Sequence, residues 1–368
     1  MLLVTLVNTL FVLIALTVKV DGLQIGPLLS SCVDACQRGC LEIRNVHQET
    51  SASSDGLKVE YKDSESEYPR SALTEADLAS QRIIVGSLRS EWGDKLRIVA
   101  EEDEDGDGDA SDDNDSSASF EPLRKDLFDD DLDETPEINI EDVTIFVDPL
   151  DATREFVEGR LDSCQVLVGI AIEGEAVAGS IGIPFPSGAD TNEDEGPTVV
   201  YGLAGLGSGV IGTPLARGPI PLERNIDGIK YPRPHHAMGD STDDVMVACK
   251  DAAIKKFGGS KVLYGGAGNK ILAAALGEVT CSIQHKVGGP WDLCAPEAIV
   301  KAMGGTITDL FGEEIEIYKN SAPPRCNERG YVASAPGLEQ PDQYTFHEKL
   351  IAAINAQPAV QEYRESLK

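Results

Sequence analysis

The chain has 368 residues, and 63 Asp and Glu against 31 Lys and Arg give a formal net charge of −32. Hydrophobic residues, 41% of the total, supply enough apolar surface for a core, which excludes a wholly disordered polymer. No basic stretch is present to release counterions from a phosphate backbone, which excludes a protein that coats nucleic acid. At ~150 residues per domain the length fits two domains or one large layered unit.

Leu2 to Val18 is apolar apart from Thr5, Asn8, Thr9 and Thr17. A membrane span needs about 20 such residues, so this run suits a signal-peptide core better. Val20 and Gly22 are small enough for cleavage before Leu23, although no Lys or Arg precedes the apolar run. Residues 1–22 therefore read as a cleaved signal peptide or an uncleaved signal anchor. In either case the chain enters the secretory route, and only the anchor would attach it to a membrane. Next, Cys32, Cys36 and Cys40 fall four apart, on one stripe of a helix beginning near Pro27. Helical neighbours at that spacing are not well placed for disulfides. With no CxxC pair to suggest zinc, buried free thiols are expected.

Thr74-Glu-Ala-Asp77 has the spacing of a helix capping box, and Leu78, Ile83, Ile84 and Leu88 line one side of the helix that follows. Leu96 to Ala100 reads as a short buried strand ending at Glu101-Glu102. From Asp103 to Glu134 the chain holds 15 acids and two bases, Arg124 and Lys125, and so carries −13 of the total charge. The run begins like a calcium loop, with acids at loop positions 1, 3 and 5 and Gly108 at position 6. Position 12, however, is Asn114 where a bidentate Glu is needed. A solvated insertion within a domain is the expectation.

Val143 to Val147 is a β-branched and aromatic strand, and it runs into Asp148-Pro149-Leu150-Asp151-Ala152-Thr153 and a helix-like Arg154 to Glu158. A turn with an N-capping Asp would give the same spacing. The alternative is functional. Ligands in open α/β folds collect at the carboxyl ends of strands, and the amides of Ala152 and Thr153 could receive an anion. Two ionised carboxylates so close repel each other, and a hard divalent cation relieves the repulsion. Farther on, Gly265-Gly-Ala-Gly-Asn-Lys270 is a glycine turn entering a helix at Ile271–Leu276. Then Gly288 to Glu297 sets Asp292 at another helix entrance, where an N-cap is again the plain reading. Taken together, the acids at strand ends and helix starts make a magnesium-type oxygen cage. Cations there would offset the repulsion that a chain of charge −32 exerts on an anionic substrate, and would polarise a phosphoryl oxygen.

Glu101-Glu102, Asp148 to Thr153 and Trp291-Asp292 together resemble the magnesium-dependent, lithium-sensitive inositol monophosphatase superfamily. Within it, Thr74-Glu-Ala-Asp77, Gly265 to Lys270 and Trp291-Asp-Leu-Cys-Ala-Pro-Glu297 are most similar to the 3′(2′),5′-bisphosphate nucleotidase branch. The likeness covers about residues 28 to 335. It implies an α/β fold, the layered αβαβα sandwich of the inositol monophosphatase-like sugar phosphatases. It also implies two to three Mg2+ ions held by Glu101, Asp148, Asp151, Asp292 and the backbone carbonyl of Leu150. Asp77 and Thr153 would activate the attacking water. Ala152, Thr153, Gly268, Asn269 and Lys270 would meet a small nucleotide, with Lys270 near its 5′-phosphate. Two departures stand out. Ala152 replaces the motif's usual glycine, as in Golgi-resident nucleotidases. The family's Ser-and-His segment has no clean counterpart, so His236 or Ser241 is expected to approach the base or phosphate.

The expected halves are residues 23–197, α+β and metal-binding, and residues 198–368, α/β. The expected reaction is hydrolysis of the 3′-phosphate of adenosine 3′,5′-bisphosphate by metal-activated water, giving AMP and phosphate. The Golgi lumen is the expected location, with a plastid reached by the secretory route or the cell exterior as alternatives. An inositol (poly)phosphate phosphatase with the same metal site is the rival enzyme. A secreted acidic protein that binds divalent ions is the rival of another class.

Overall fold

The computed structural model describes residues 23–52, 59–61, 72–102, 120–128, 138–188, 195–215, 217–218, 224–226, 229–231, 235–319, 326–338 and 345–368. The candidate signal segment and the calcium-loop-like start of the acidic run lie outside the described residues.

Leu28, Leu29, Cys32, Val33, Cys36, Cys40 and Ile43 recur every three or four residues and are all fully buried. They form the inner stripe of helix α1 (Ile25–Ala52). Helix α2 (Glu75–Trp92) packs beside it. The two cover one face of a six-stranded sheet made of β1 (Arg97–Ala100), β2 (Val143–Asp151), β3 (Gln165–Ile172), β4 (Glu175–Ile183), β5 (Thr198–Leu203) and β6 (Gly207–Gly212). The strands lie in chain order. β1 and β2 are parallel, and the remaining neighbours are antiparallel. Because side chains alternate along a strand, Val143, Ile145 and Val147 of β2 join the α1–α2 core, while Phe146 faces the opposite layer. That explains the unbroken apolar run from Val143 to Val147: both faces are covered.

The sheet continues through β5 and β6, so the first half extends past the expected division at residue 197 as far as Gly212. Ile183 pairs with Thr198, and Val199 and Val200 bury one side chain on each face.

The middle layer is helical, with α5 (Ala267–Ala275) against α6 (Cys294–Ala302). Helix α6 approaches the first sheet so closely that a Cβ on Gly179 would lie 2.6 Å from the Cα of Ala295. Only glycine fits there. Beyond lies a five-stranded sheet of β7 (His235–Met238), β8 (Ser260–Leu263), β9 (Cys281–Gln284), β10 (Thr306–Thr308) and β11 (Tyr331–Ser334), in the order β8-β7-β9-β11-β10. Its outer face carries α4 (Asp244–Phe257), α7 (Phe346–Asn355) and α8 (Pro358–Ser366), and α3 (Thr153–Val157) is a single turn after β2. Three apolar cores hold five layers together, α-β-α-β-α, the middle core lying on both sides of the central helices.

Seven cysteines, among them Cys32, Cys36 and Cys40, are buried thiols. Among the described residues no helix is long and apolar enough to cross a membrane.

Candidate active site

A β-bulge builds the centre of the site. Between Asp148 and Asp151 strand β2 advances three residues while its partner β3 advances two, from Leu167 to Gln165. Residues three apart on a regular strand point to opposite faces; the extra residue returns Asp151 to the face that Asp148 occupies. Pro149 lies within the bulge, where its missing N–H costs the ladder nothing. Ser80 of α2 donates to the Pro149 carbonyl at 2.8 Å, and the Leu150 N–H donates to Asp148 Oδ1 at 3.0 Å.

Glu101 follows the end of β1, its N–H bonded to the Val147 carbonyl at 3.0 Å, which sets it beside Asp148. Asp292 arrives from the opposite half, on a 3-10 turn (Pro290–Asp292) before α6. Carboxylate oxygens of Glu101, Asp148 and Asp292 lie within 4.8 Å of one another. Burial pushes the Asp148 and Asp292 carboxyls well above the usual range, and the Glu101 charge adds to the shift. Packed acids in a donor set of oxygen alone fit a hard divalent cation, which would return these groups to their ionised form.

Asp151 lies apart from this trio. Its carboxylate accepts the Ala267 and Gly268 N–H groups at 3.0 and 2.9 Å, two amides at the start of α5. Burial raises its pKa, opposed by the nearby Lys270 ammonium. The preceding Gly266 has φ +72, and a Cβ there would meet Asp151 Oδ2 at 2.6 Å, so both backbone and space demand glycine.

Asp77 closes the capping box and also reaches into the site. Oδ2 accepts from the Thr74 N–H and hydroxyl at 2.8 and 2.6 Å, and Oδ1 accepts from Thr153 Oγ1 at 3.0 Å. Thr153 Oγ1 also lies 2.9 Å from the Leu150 carbonyl. Asp77 is 1% exposed, and burial pushes its pKa up to about 6 against the pull of the Thr74 hydrogen bonds.

The expected substrate residues divide. Ala152 stands in the left-handed region at φ 73, ψ 41, at the entrance to α3. Lys270 is buried, and desolvation lowers its pKa against the attraction of Asp151, Glu155, Asp292 and Asp240. The Asn269 side chain is already committed, as its Nδ2 donates to the Gly265 carbonyl at 3.2 Å and its Oδ1 accepts from Arg217 at 2.8 Å. His236 does not face the site. It is fully buried in β7, with Nδ1 3.2 Å from Cys281 Sγ and Nε2 2.9 Å from the Gly258 carbonyl. Ser241 is exposed and bonds to Asp243, the cap of α4.

The part of that segment that does reach the site is Gly239-Asp240. A Cβ on Gly239 would lie 3.8 Å from Lys270 Nζ, and Asp240 Oδ2 accepts from Arg154 Nη1 at 3.0 Å. Neither Arg154 nor Arg217 stood out in the sequence. Their partners lie 86 and 52 residues away, beyond any local spacing.

A family model described as the inositol monophosphatase family matches residues 34–359. The chain is similar to 3′(2′),5′-bisphosphate nucleotidase 1 of Dictyostelium discoideum, 31% identical over 315 residues, covering 84% of this chain and 93% of the relative. It is 28% identical to the Golgi-resident adenosine 3′,5′-bisphosphate 3′-phosphatase of Rattus norvegicus, covering 89% of this chain and 86% of the relative. Among solved structures, the extragenic suppressor protein suhB of Bartonella henselae superposes with a TM-score of 0.59 at 18% identity, over 89% of this chain and 98% of that one, a likeness of fold.

Proposed function

From membership of the inositol monophosphatase family, to which the chain belongs, we propose a magnesium-dependent phosphoric monoester hydrolase that converts adenosine 3′,5′-bisphosphate to AMP and phosphate. The observation that carries this reading is the junction of two devices: the Glu101–Asp148–Asp292 trio and the Asp77–Thr153 pair, joined through Leu150, whose N–H bonds to Asp148 and whose carbonyl bonds to Thr153. The trio would hold two to three Mg2+ ions together with Asp151 and the Leu150 carbonyl. Bound there, the ions neutralise phosphate charge and activate water.

This chain's own groups do the rest. Thr153 has one proton and two acceptors in reach. By donating to Asp77 it leaves an oxygen lone pair free to take a proton from an attacking water, while the hydroxyl's own proton passes to the Asp77 carboxylate, so one proton leaves the water and one arrives on Asp77. Helix α2, the β2 bulge and α3 hold this pair in place, so proximity and orientation supply much of the rate. Lys270 brings a cation toward the nucleotide's 5′-phosphate, and Ala152, Thr153 and Gly268 line the approach. The reading extends to inhibition by lithium and to a place in the secretory pathway, with the Golgi lumen favoured by the Golgi-resident relative.

A substrate panel tests it. Residues 23–368 should release phosphate from adenosine 3′,5′-bisphosphate with Mg2+, more slowly from inositol monophosphate, and stop with Li+. Faster turnover of the inositol ester would keep the metal site and overturn the nucleotide. Metal binding without any phosphate release would favour the acidic ion-binding reading.

A further inference from the structure

Helix α5 lacks a side-chain cap of its own; its cap position is Gly266. The Ala267 and Gly268 amides donate to Asp151, so the first turn of α5 and the rotation of Asp151 are fixed by each other. The turn is held from outside by Arg217, which belongs to the connection leaving β6 for the second sheet. Its Nη1 donates to Asn269 Oδ1 at 2.8 Å, and Asn269 Nδ2 reaches back to the Gly265 carbonyl. The same guanidinium grips Glu278, just past the end of α5, with Nε at 3.0 Å from Oε1 and Nη2 at 2.8 Å from Oε2. Both partners of that pair are mostly buried, their side chains 19% and 12% exposed. One arginine thus ties the beginning of α5 to the segment beyond its end. Gln165, opposite Asp151 in the β2–β3 ladder and fully buried, points its Nε2 at Asn269 Oδ1 from 3.5 Å, while its Oε1 is without a partner among the described residues.

We propose that Arg217 is a positioning residue: from the connection between the two halves it sets Asn269, Asn269 sets the Gly265–Gly268 turn, and the turn sets Asp151. The proposal rests on the phosphatase reading and extends it, because Asp151 borders the cation trio and the approach to Lys270. It also gives Asn269 a supporting role in place of contact with the nucleotide. A forked, always-charged guanidinium suits this task, since it can satisfy two acceptors in fixed directions at once, which a lysine cannot.

Four forms of residues 23–368 test it: Arg217→Ala, Arg217→Lys, Asn269→Ala and the Arg217→Ala/Asn269→Ala double variant. The measurements are kcat and KM for adenosine 3′,5′-bisphosphate, the Mg2+ concentration for half-activity, calorimetric Mg2+ binding without substrate, and the melting temperature. Arg217→Ala should lower kcat and raise the Mg2+ requirement, each about tenfold, and Arg217→Lys should recover only part of the loss. Asn269→Ala, which keeps the Arg217–Glu278 pair whole and so survives if Arg217→Ala does not fold, should repeat the loss. The double variant should be no worse than the worse single one, as for residues acting in series. Unchanged kinetics in the single variants, or additive losses in the double, would overturn the proposal. If the wild-type chain released no phosphate, the phosphatase reading would fail by itself. Mg2+ binding would still decide about Arg217, with weaker binding in Asn269→Ala supporting it and equal binding overturning it.

Discussion

Ala152 holds φ 73, ψ 41, a conformation in which an L-residue's Cβ crowds the following carbonyl. The chain thus makes this backbone turn without glycine, the residue that adopts it freely. Ala152→Gly should therefore stabilise the fold by about 1 kcal/mol, the ordinary cost of left-handed backbone for a residue with a Cβ. Urea unfolding of the two proteins checks this, and equal or lower stability of the glycine form would show that the methyl group repays the strain through packing. The residues that carry the site's charge could be read from the sequence, because Asp148, Asp151 and Asp292 each sit where a strand or loop hands over to a helix. His236 misled for the opposite reason. A histidine on a strand looks available until the strand's neighbours are known, and here β9 and the Gly258 turn take both ring nitrogens.

Single elements show what local pattern can and cannot reveal. The Thr74–Asp77 spacing marked the start of α2, and the stripe of Cys32, Cys36 and Cys40 marked the buried face of α1. The bulge in β2 was not legible, since it exists only as a mismatch with β3, and neither was the extension of the first sheet to Gly212. Helix α7 carries a prediction of its own. His347 is 5% exposed, with Nδ1 2.8 Å from Ser334 Oγ and Nε2 3.0 Å from Thr308 Oγ1, so it joins α7 to β11 and β10. Burial pushes its pKa from 6.5 down to about 4. The unfolded chain therefore takes up a proton near pH 6.5 that the folded chain refuses until about pH 4. Stability should fall as the pH drops through that window and then level off, by up to about 3 kcal/mol from this group. In His347→Gln the loss between pH 7 and pH 4 should be smaller by about that amount. An unchanged pH dependence of the urea midpoint would contradict it.

In the whole molecule, the layer order places the chemistry at a seam. Glu101, Asp148 and Asp151 come from the first sheet and Asp292 from the segment before α6, so the carboxylate trio forms only when both halves are docked. Three separate cores hold the layers, which is why one substitution in the trio need not unfold the chain. Removing one of several packed acids relieves repulsion in the metal-free protein, so the same change that harms activity should leave stability intact or raise it. Phosphate release from adenosine 3′,5′-bisphosphate across a Mg2+ titration, for the wild-type chain and Asp148→Asn with melting temperatures in parallel, decides whether the carboxylate trio holds the catalytic metal. The wild type should release phosphate in a Mg2+-dependent way, and the variant should lose about a thousandfold or more of that activity while melting no lower than the wild type. Normal Mg2+-dependent turnover by Asp148→Asn would contradict it.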